Sequence, residues 1–225
     1  SGRFVFCRDI MEYIMKLRTE QLKNAVITAL NTNIPSKITP EILSIKGFSG
    51  TQYKHFANRL LSSADVKTYL EIGVWYGSTS IAALKGNTDN LKYWVVDNFS
   101  QFGSPKQDFL NNWRNNLGQE PNLIDEDCFN INLEQKGIKN VDAYFYDGDH
   151  EEVDHYKALT HYYSGMADTF IYMVDDWCWP KVQQGTFRAI KDLQLYPAMQ
   201  VCFFGNEDSA GWWNGCGIFV FEKTR

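Results

Sequence analysis

Apolar positions recur at near-helical spacing through the opening of the chain. Ile10, Ile14, Leu17, Leu22, Val26 and Leu30 predict an amphipathic helix over residues 9–30, which Asn31, Asn33 and Pro35 end. Thr39-Pro40-Glu41 reads as a helix start, with Thr at the N-cap and Pro at the first helical position; this short helix stops near Gly47. Another starts at Ser49-Gly50-Thr51 and carries Tyr53, Phe56, Leu60 and Leu61 on one side. Residues 1–65 therefore read as a helical extension without strands, and 66–225 as the domain that follows.

From Thr68 short apolar runs alternate with helical stretches. Strands are expected at 69–74, 93–97, 122–127, 141–147 and 169–175. Helices are expected at 78–84, 105–117, 151–163 and 182–193. Two last strands, 200–204 and 217–221, have only a Gly/Asn/Trp-rich loop between them, so they are expected to pair antiparallel. The alternation predicts an α/β fold, a Rossmann-like doubly wound sheet of about seven strands with the last strand antiparallel. No internal repeat is visible.

Composition narrows the class of function. At about 150 residues per domain, 225 residues allow one α/β domain with an extension. Net charge is -5 with no long Lys/Arg run, which argues against general nucleic-acid binding. No apolar stretch is long enough to span a membrane. The opening does not read as a signal peptide, since Arg3 is followed by a short apolar run and then Arg8 and Asp9. Five cysteines (Cys7, Cys128, Cys178, Cys202 and Cys216) form no CxxC pair and are odd in number. That speaks against a disulfide framework or a thiolate zinc site and for a reducing cytoplasm. The apolar first helix makes a homodimer an expectation. Aromatics reach 15%, and Trp177, Trp179, Trp212 and Trp213 fall in expected loops, as the wall of a pocket or as core.

In such a sheet ligands bind beyond the carboxyl ends of the strands. The expected strands deliver acids there: Glu71, Asp97, Asp127, Asp147 with Asp149, and Asp175 with Asp176. The first turn reads E-x-G-x-x-x-G, with Glu71, Gly73, Gly77 and then Ser78. A carboxylate facing the ligand there would repel a pyrophosphate and attract a cationic ligand without phosphate, such as S-adenosylmethionine (SAM). The glycines let the backbone pass close to it, although the same turn also serves as an ordinary strand-to-helix connection. Asp97, twenty residues after Gly77, is placed to accept both ribose hydroxyls, or else to cap a loop. Asp127 could accept from the adenine amine while the Cys128 N–H donates to a ring nitrogen.

Asp147, Asp175 and Asp176 would repel one another unless a cation or protons neutralise them. Oxygen ligands suit Mg²⁺ or Mn²⁺, with His150 beside the ion as general base; Lys181 is the nearest rival counter-charge. His55, His155 and His161 read as surface or packing residues. Trp212 and Trp213 are expected on the acceptor side of the site, with packing onto the helical extension as the alternative.

Taken together, Tyr69-Leu-Glu71-Ile-Gly73-Val-Trp-Tyr-Gly77-Ser78, Val95-Val-Asp97, Tyr146-Asp147-Gly-Asp149-His150 and Val174-Asp175-Asp176 resemble class I SAM-dependent methyltransferases. The branch with DGxH after the fourth strand is the most similar. It holds metal-dependent O-methyltransferases of macrolide sugars and cephalosporin hydroxylase-like proteins. The resemblance covers about residues 66–222. It implies that Asp147, Asp175 and Asp176 hold Mg²⁺, that His150 is a base, and that the substrate is a small-molecule hydroxyl. Asp149 is an additional acid, and residues 1–65 match no pattern of that branch. Three other uses of the scaffold stay open: a hydroxylase-like enzyme, a NAD-dependent enzyme, and a non-catalytic SAM-fold binding module.

Overall fold

A computed structural model describes residues 2–207 and 209–223, with side chains from residue 10 onward. Seven strands form one sheet: β1 (Thr68–Ile72), β2 (Lys92–Val96), β3 (Leu123–Ile124), β4 (Val141–Tyr146), β5 (Met166–Asp175), β6 (Pro197–Phe203) and β7 (Cys216–Glu222). Their order is β3-β2-β1-β4-β5-β7-β6. The first five run parallel, and β7 runs antiparallel to both β5 and β6. This is the expected doubly wound α/β sheet. Its strand order reverses between β1 and β4, where such sheets form a crevice.

Helices cover both faces. On one lie α1 (Gly2–Leu30), α3 (Thr51–Leu61), α4 (Ser78–Leu84) and α5 (Lys106–Leu117), whose Leu22, Val26, Phe56, Ile81 and Trp113 pack with Tyr69 and Phe145 of the sheet. On the other lie α6 (Glu152–Tyr162) and α7 (Pro180–Asp192), whose Leu159, Tyr162, Val182 and Ile190 pack with Leu70, Tyr144 and Tyr172. The strands are buried on both sides, which is why they read as continuous apolar runs rather than alternating ones. α2 (Pro40–Leu43) is a single turn; it starts at Thr39-Pro40 as expected, but the Thr39 side chain makes no capping bond.

α1 corrects one detail of the sequence reading. Leu22, Ala25, Val26 and Ala29 are buried, whereas Ile10, Ile14 and Leu17 are about half exposed, at 49%, 57% and 50%. The exposed positions lie in the N-terminal half of the helix and the buried ones in its C-terminal half, so what separates them is position along the helix rather than face. The buried half docks through Arg18, which donates to Asp142 at 2.8 Å, and through Thr19, which donates to Glu222 at 2.5 Å. The helices of residues 1–65 thus share their core with the sheet.

Cys128, Cys178, Cys202 and Cys216 are free thiols; Cys7 lies outside the described side chains. No described helix is long and apolar enough to cross a membrane.

Candidate active site

The register of the sheet assembles the site. Ile72 pairs with Val96 on one side and with Tyr146 on the other, Val96 pairs with Ile124, and Tyr146 pairs with Val174. One row therefore crosses five strands. The residues just past it emerge at one edge: Gly73, Asp97, Asp147 and Asp175 directly, with Asp127 and Cys128 a few residues beyond β3. They open onto a cavity of about 560 Å³ at the β1–β4 reversal, well within the range for small-molecule sites. Among the described residues nine carboxylates line it, and Lys46 is its one Lys or Arg.

The first turn is held by a carboxylate. Asp97 Oδ2 accepts from the N–H groups of Val74 and Trp75 at 2.9 and 2.8 Å, and Oδ1 accepts from Phe99 N–H at 2.6 Å. Gly73 has φ +83°, and a Cβ there would stand 1.7 Å from the Asp147 carbonyl oxygen, so only glycine lets β1 and β4 end side by side. Gly77 does not line the cavity, contrary to its expected role. Its φ is +84° and a Cβ would meet Ile81 and Phe109, so packing under α4 is what requires it.

Glu71 is a second correction. It does not face the cavity. In a strand alternate residues share a face, so Glu71 points with Tyr69 toward the helices of the N-terminal side. There it is fully buried, and Oε2 accepts from Tyr69 Oη at 2.8 Å. Burial pushes its carboxyl well above the usual range by disfavouring the charged form. It cannot act as the ligand-facing charge that the turn motif implied.

Asp127 and Cys128 do line the cavity. Asp127 Oδ1 caps the turn at 128–130 by accepting from Phe129 N–H at 2.9 Å. Burial pushes the Cys128 thiol up to about 12, so it is no nucleophile.

The acids after β4 and β5 separate into two sets. Asp147, His150 and Asp176 each offer a ligand atom, and these atoms lie within 4.8 Å of one another. Asp175, expected as a metal ligand, is not among them. It is buried at the cavity wall, and burial together with the Asp147 and Asp176 charges raises it well above the carboxylate range. Burial and Asp176 push Asp147 up to about 7, with His150 opposing.

His150 Nε2 lies 2.7 Å from Asp176 Oδ2, while Asp176 Oδ1 accepts from Asn214 Nδ2 at 2.8 Å. Burial works to lower the His150 pKa, but the bond to Asp176 and its charge outweigh that and raise it. Trp179 packs edge-on against the His150 ring at 4.8 Å. Lys181 pairs with Glu151 at 2.7 Å instead of neutralising the acids.

The two loop tryptophans part company. Trp213 lines the cavity beside Phe48, their rings 5.7 Å apart. Trp212 does not line it: its ring stacks on Phe203 at 3.7 Å and packs on Tyr53 and Phe56, so the expected acceptor-side role is replaced by core packing. Sequence reasoning missed Lys46, Phe48 and Asn214 as lining residues, and Trp75, which stacks on Phe48 at 4.9 Å. Only Asn214 carried a signal, next to Trp213 in the Gly/Asn/Trp loop. The remaining histidines pack: His155 against Tyr146, His161 against Ile131 O, and His55 against Ser36.

No family model and no curated relative matches the chain. Solved structures do resemble it in fold. An O-methyltransferase from Bacillus cereus in complex with S-adenosylhomocysteine has TM-score 0.57 at 15% identity, over 90% of this chain and 91% of that one. A methyltransferase from Podospora anserina with S-adenosylhomocysteine bound has TM-score 0.61 at 10% identity, over 90% and 95%. An O-methyltransferase from Streptomyces achromogenes involved in tomaymycin synthesis, in complex with SAM, has TM-score 0.57 at 15% identity, over 91% and 90%. The chain therefore has the Rossmann-like fold that those methyltransferases share.

Proposed function

We propose that the chain is a SAM-dependent methyltransferase that moves the SAM methyl group onto a hydroxyl oxygen of a small-molecule acceptor. The observation that carries the reading is the single row of strand ends that opens Gly73, Asp97, Asp147 and Asp175 onto one cavity at the β1–β4 reversal. Charge favours SAM over a dinucleotide there. A pyrophosphate would meet these acids with Lys46 as the one Lys or Arg among the described lining residues, whereas a sulfonium and an ammonium would be attracted. The lining acids, not Glu71, supply that charge. Asp127 and the Cys128 N–H would meet adenine, and Asp97 would take the ribose through the lone pairs its loop leaves free.

Transfer breaks the S–CH₃ bond and forms an O–CH₃ bond, releasing S-adenosylhomocysteine and the hydroxyl proton. We assign that proton to His150 Nδ1, the ring nitrogen left free when Nε2 donates to Asp176 Oδ2; Asp176 orients the ring and is itself held by Asn214. Holding acceptor oxygen and methyl in line would supply much of the acceleration. Trp213, Phe48 and Trp75 would form the apolar wall for the acceptor.

Two carboxylates and an imidazole fit a divalent ion, held by Asp147, His150 and Asp176. The mixed donor set suits Mn²⁺ more than Mg²⁺, which prefers oxygen alone. When bound, such an ion would lower the pKa of the acceptor hydroxyl. His150 cannot be ligand and base at once, so the metal question has a clean test.

The experiment is transfer from methyl-labelled SAM to a panel of hydroxylated small molecules, with EDTA or with added Mn²⁺ or Mg²⁺. Label on a hydroxyl acceptor is the expected result. Activity that survives EDTA and is lost in His150→Ala assigns the base without metal; activity that EDTA abolishes and Mn²⁺ restores assigns the ion. Cofactor binding without transfer would favour a binding module, and binding of NAD in place of SAM an oxidoreductase.

A further inference from the structure

The loop between β6 and β7 is fastened to the rest of the molecule at three points. At its start, Cys178 Sγ donates to the Gly205 carbonyl oxygen at 3.2 Å and accepts from the Gly205 N–H at 3.3 Å. One thiol thus pairs both backbone groups of one residue, a double role that a methyl group could not fill. In its middle, the N–H groups of Thr51 and Gln52, at the start of α3, donate to the carbonyls of Ser209 and Gly211 at 2.7 and 3.1 Å. Near its end, Cys178 N–H donates to the Asn214 carbonyl at 2.8 Å. The crossing is close: a Cβ on Gly215 would stand 2.3 Å from Phe203 O and 3.0 Å from Cys178 Sγ.

What these ties hold is left-handed backbone. Trp213, Asn214 and Asp176 have φ +30°, +42° and +51°. Asn and Asp visit that region readily and a bulky Trp does not; such residues persist only where their surroundings over-determine them. The result is that two neighbouring side chains reach the site. Trp213 lines the cavity, and Asn214 Nδ2 donates to Asp176 Oδ1 at 2.8 Å, while Asp176 Oδ2 holds His150 at 2.7 Å. Any shift of the loop moves the acceptor wall and the partner of His150 together.

We infer that Cys178 is a positioning residue for the transfer step: its thiol fixes the β6–β7 loop so that Asn214 keeps Asp176 and His150 set toward an acceptor lying against Trp213. This rests on the reading of His150 as the base of a SAM-dependent transfer. Cys178 is not among the described lining residues of the cavity, so it acts through the loop and not on a ligand.

Kinetics with SAM and the acceptor that the labelled-methyl panel identifies test this, beside calorimetry with S-adenosylhomocysteine. Cys178→Ala should lower kcat about tenfold, since misplacing reacting groups by about 1 Å is costly, and leave S-adenosylhomocysteine affinity within about twofold. Cys178→Ser, which keeps a donor and an acceptor at that point, should restore most of the rate. In an Asn214→Ala background, Cys178→Ala should cost little more, because the thiol acts through Asn214. Losses that multiply in the double variant, or a matching loss of S-adenosylhomocysteine affinity, would mean general loosening and overturn the inference. So would an unchanged kcat. A second measurement needs neither an acceptor nor a folded Cys178→Ala. Coupling between two points is reciprocal, so Asn214→Ala should speed iodoacetamide labelling of Cys178, located by mass spectrometry, about fivefold or more, with Cys128 labelled at its wild-type rate. Wild-type labelling of Cys178 in that variant would overturn the inference. A wild-type protein that neither binds S-adenosylhomocysteine nor transfers from SAM would overturn the cofactor reading and the transfer role with it; the labelling still decides whether the thiol and Asn214 are coupled.

Discussion

Asp97 shows how a residue can serve structure and ligand at once. Its carboxylate accepts three backbone N–H bonds, from Val74, Trp75 and Phe99, and it lines the cavity. Asp97→Asn would turn an N–H₂ group toward those donors. Stability should then fall by about 1.5–3 kcal/mol, the range for hydrogen bonds to a charged group, and S-adenosylhomocysteine affinity should fall with it. Urea unfolding and calorimetry measure the two. A loss of affinity at unchanged stability would mean that the carboxylate serves the ligand alone. His155 carries a second expectation. It is buried, neither ring nitrogen has a hydrogen-bond partner among the described residues, and burial holds its pKa down to about 4. Above its unfolded pKa of about 6.5 both states are neutral. As pH falls from there toward 4 the unfolded chain takes up a proton that the folded chain refuses, so stability declines, by up to about 3 kcal/mol. His155→Leu should flatten the stability curve between pH 6.5 and 4 relative to wild type; parallel curves would refute the assignment.

At the scale of elements, much of the site was legible because its parts are contiguous in the chain. A strand, a turn and an acid sit together at Val95-Val96-Asp97 and again at Tyr146-Asp147, so the edge they reach follows from local pattern. What was not legible depends on distant covers. Glu71 is buried because Tyr69 accompanies it under the N-terminal helices, and Asp175 lines the cavity but lies outside the group formed by Asp147, His150 and Asp176. The segment 46–49 lies over a turn thirty residues later, a contact no local pattern encodes. Trp212 and Trp213 are adjacent, yet one joins Phe203, Tyr53 and Phe56 and the other the cavity. Trp212→Ala should therefore cost about 3 kcal/mol, at the low end for removing a packed Trp, with a matching drop in Tm. Trp213→Ala should leave Tm within a degree or two and raise the acceptor KM. Equal destabilisation by both would mean that the loop is one packing unit.

For the whole molecule, the alternation of strands and helices predicted the sheet, and the order β3-β2-β1-β4-β5-β7-β6 puts its reversal where the acids converge. The N-terminal helices share that sheet's core, through Leu22, Val26 and Phe56. Each of these features argues for one ligand: cationic at its reactive centre, without phosphate, and long enough to cross from β3 to β1. The most direct measurement is a calorimetric titration of the wild-type chain with S-adenosylhomocysteine and, separately, with NAD⁺. One saturable S-adenosylhomocysteine site and no heat from NAD⁺ is the expected result. Tight NAD⁺ binding with none for S-adenosylhomocysteine would contradict the account.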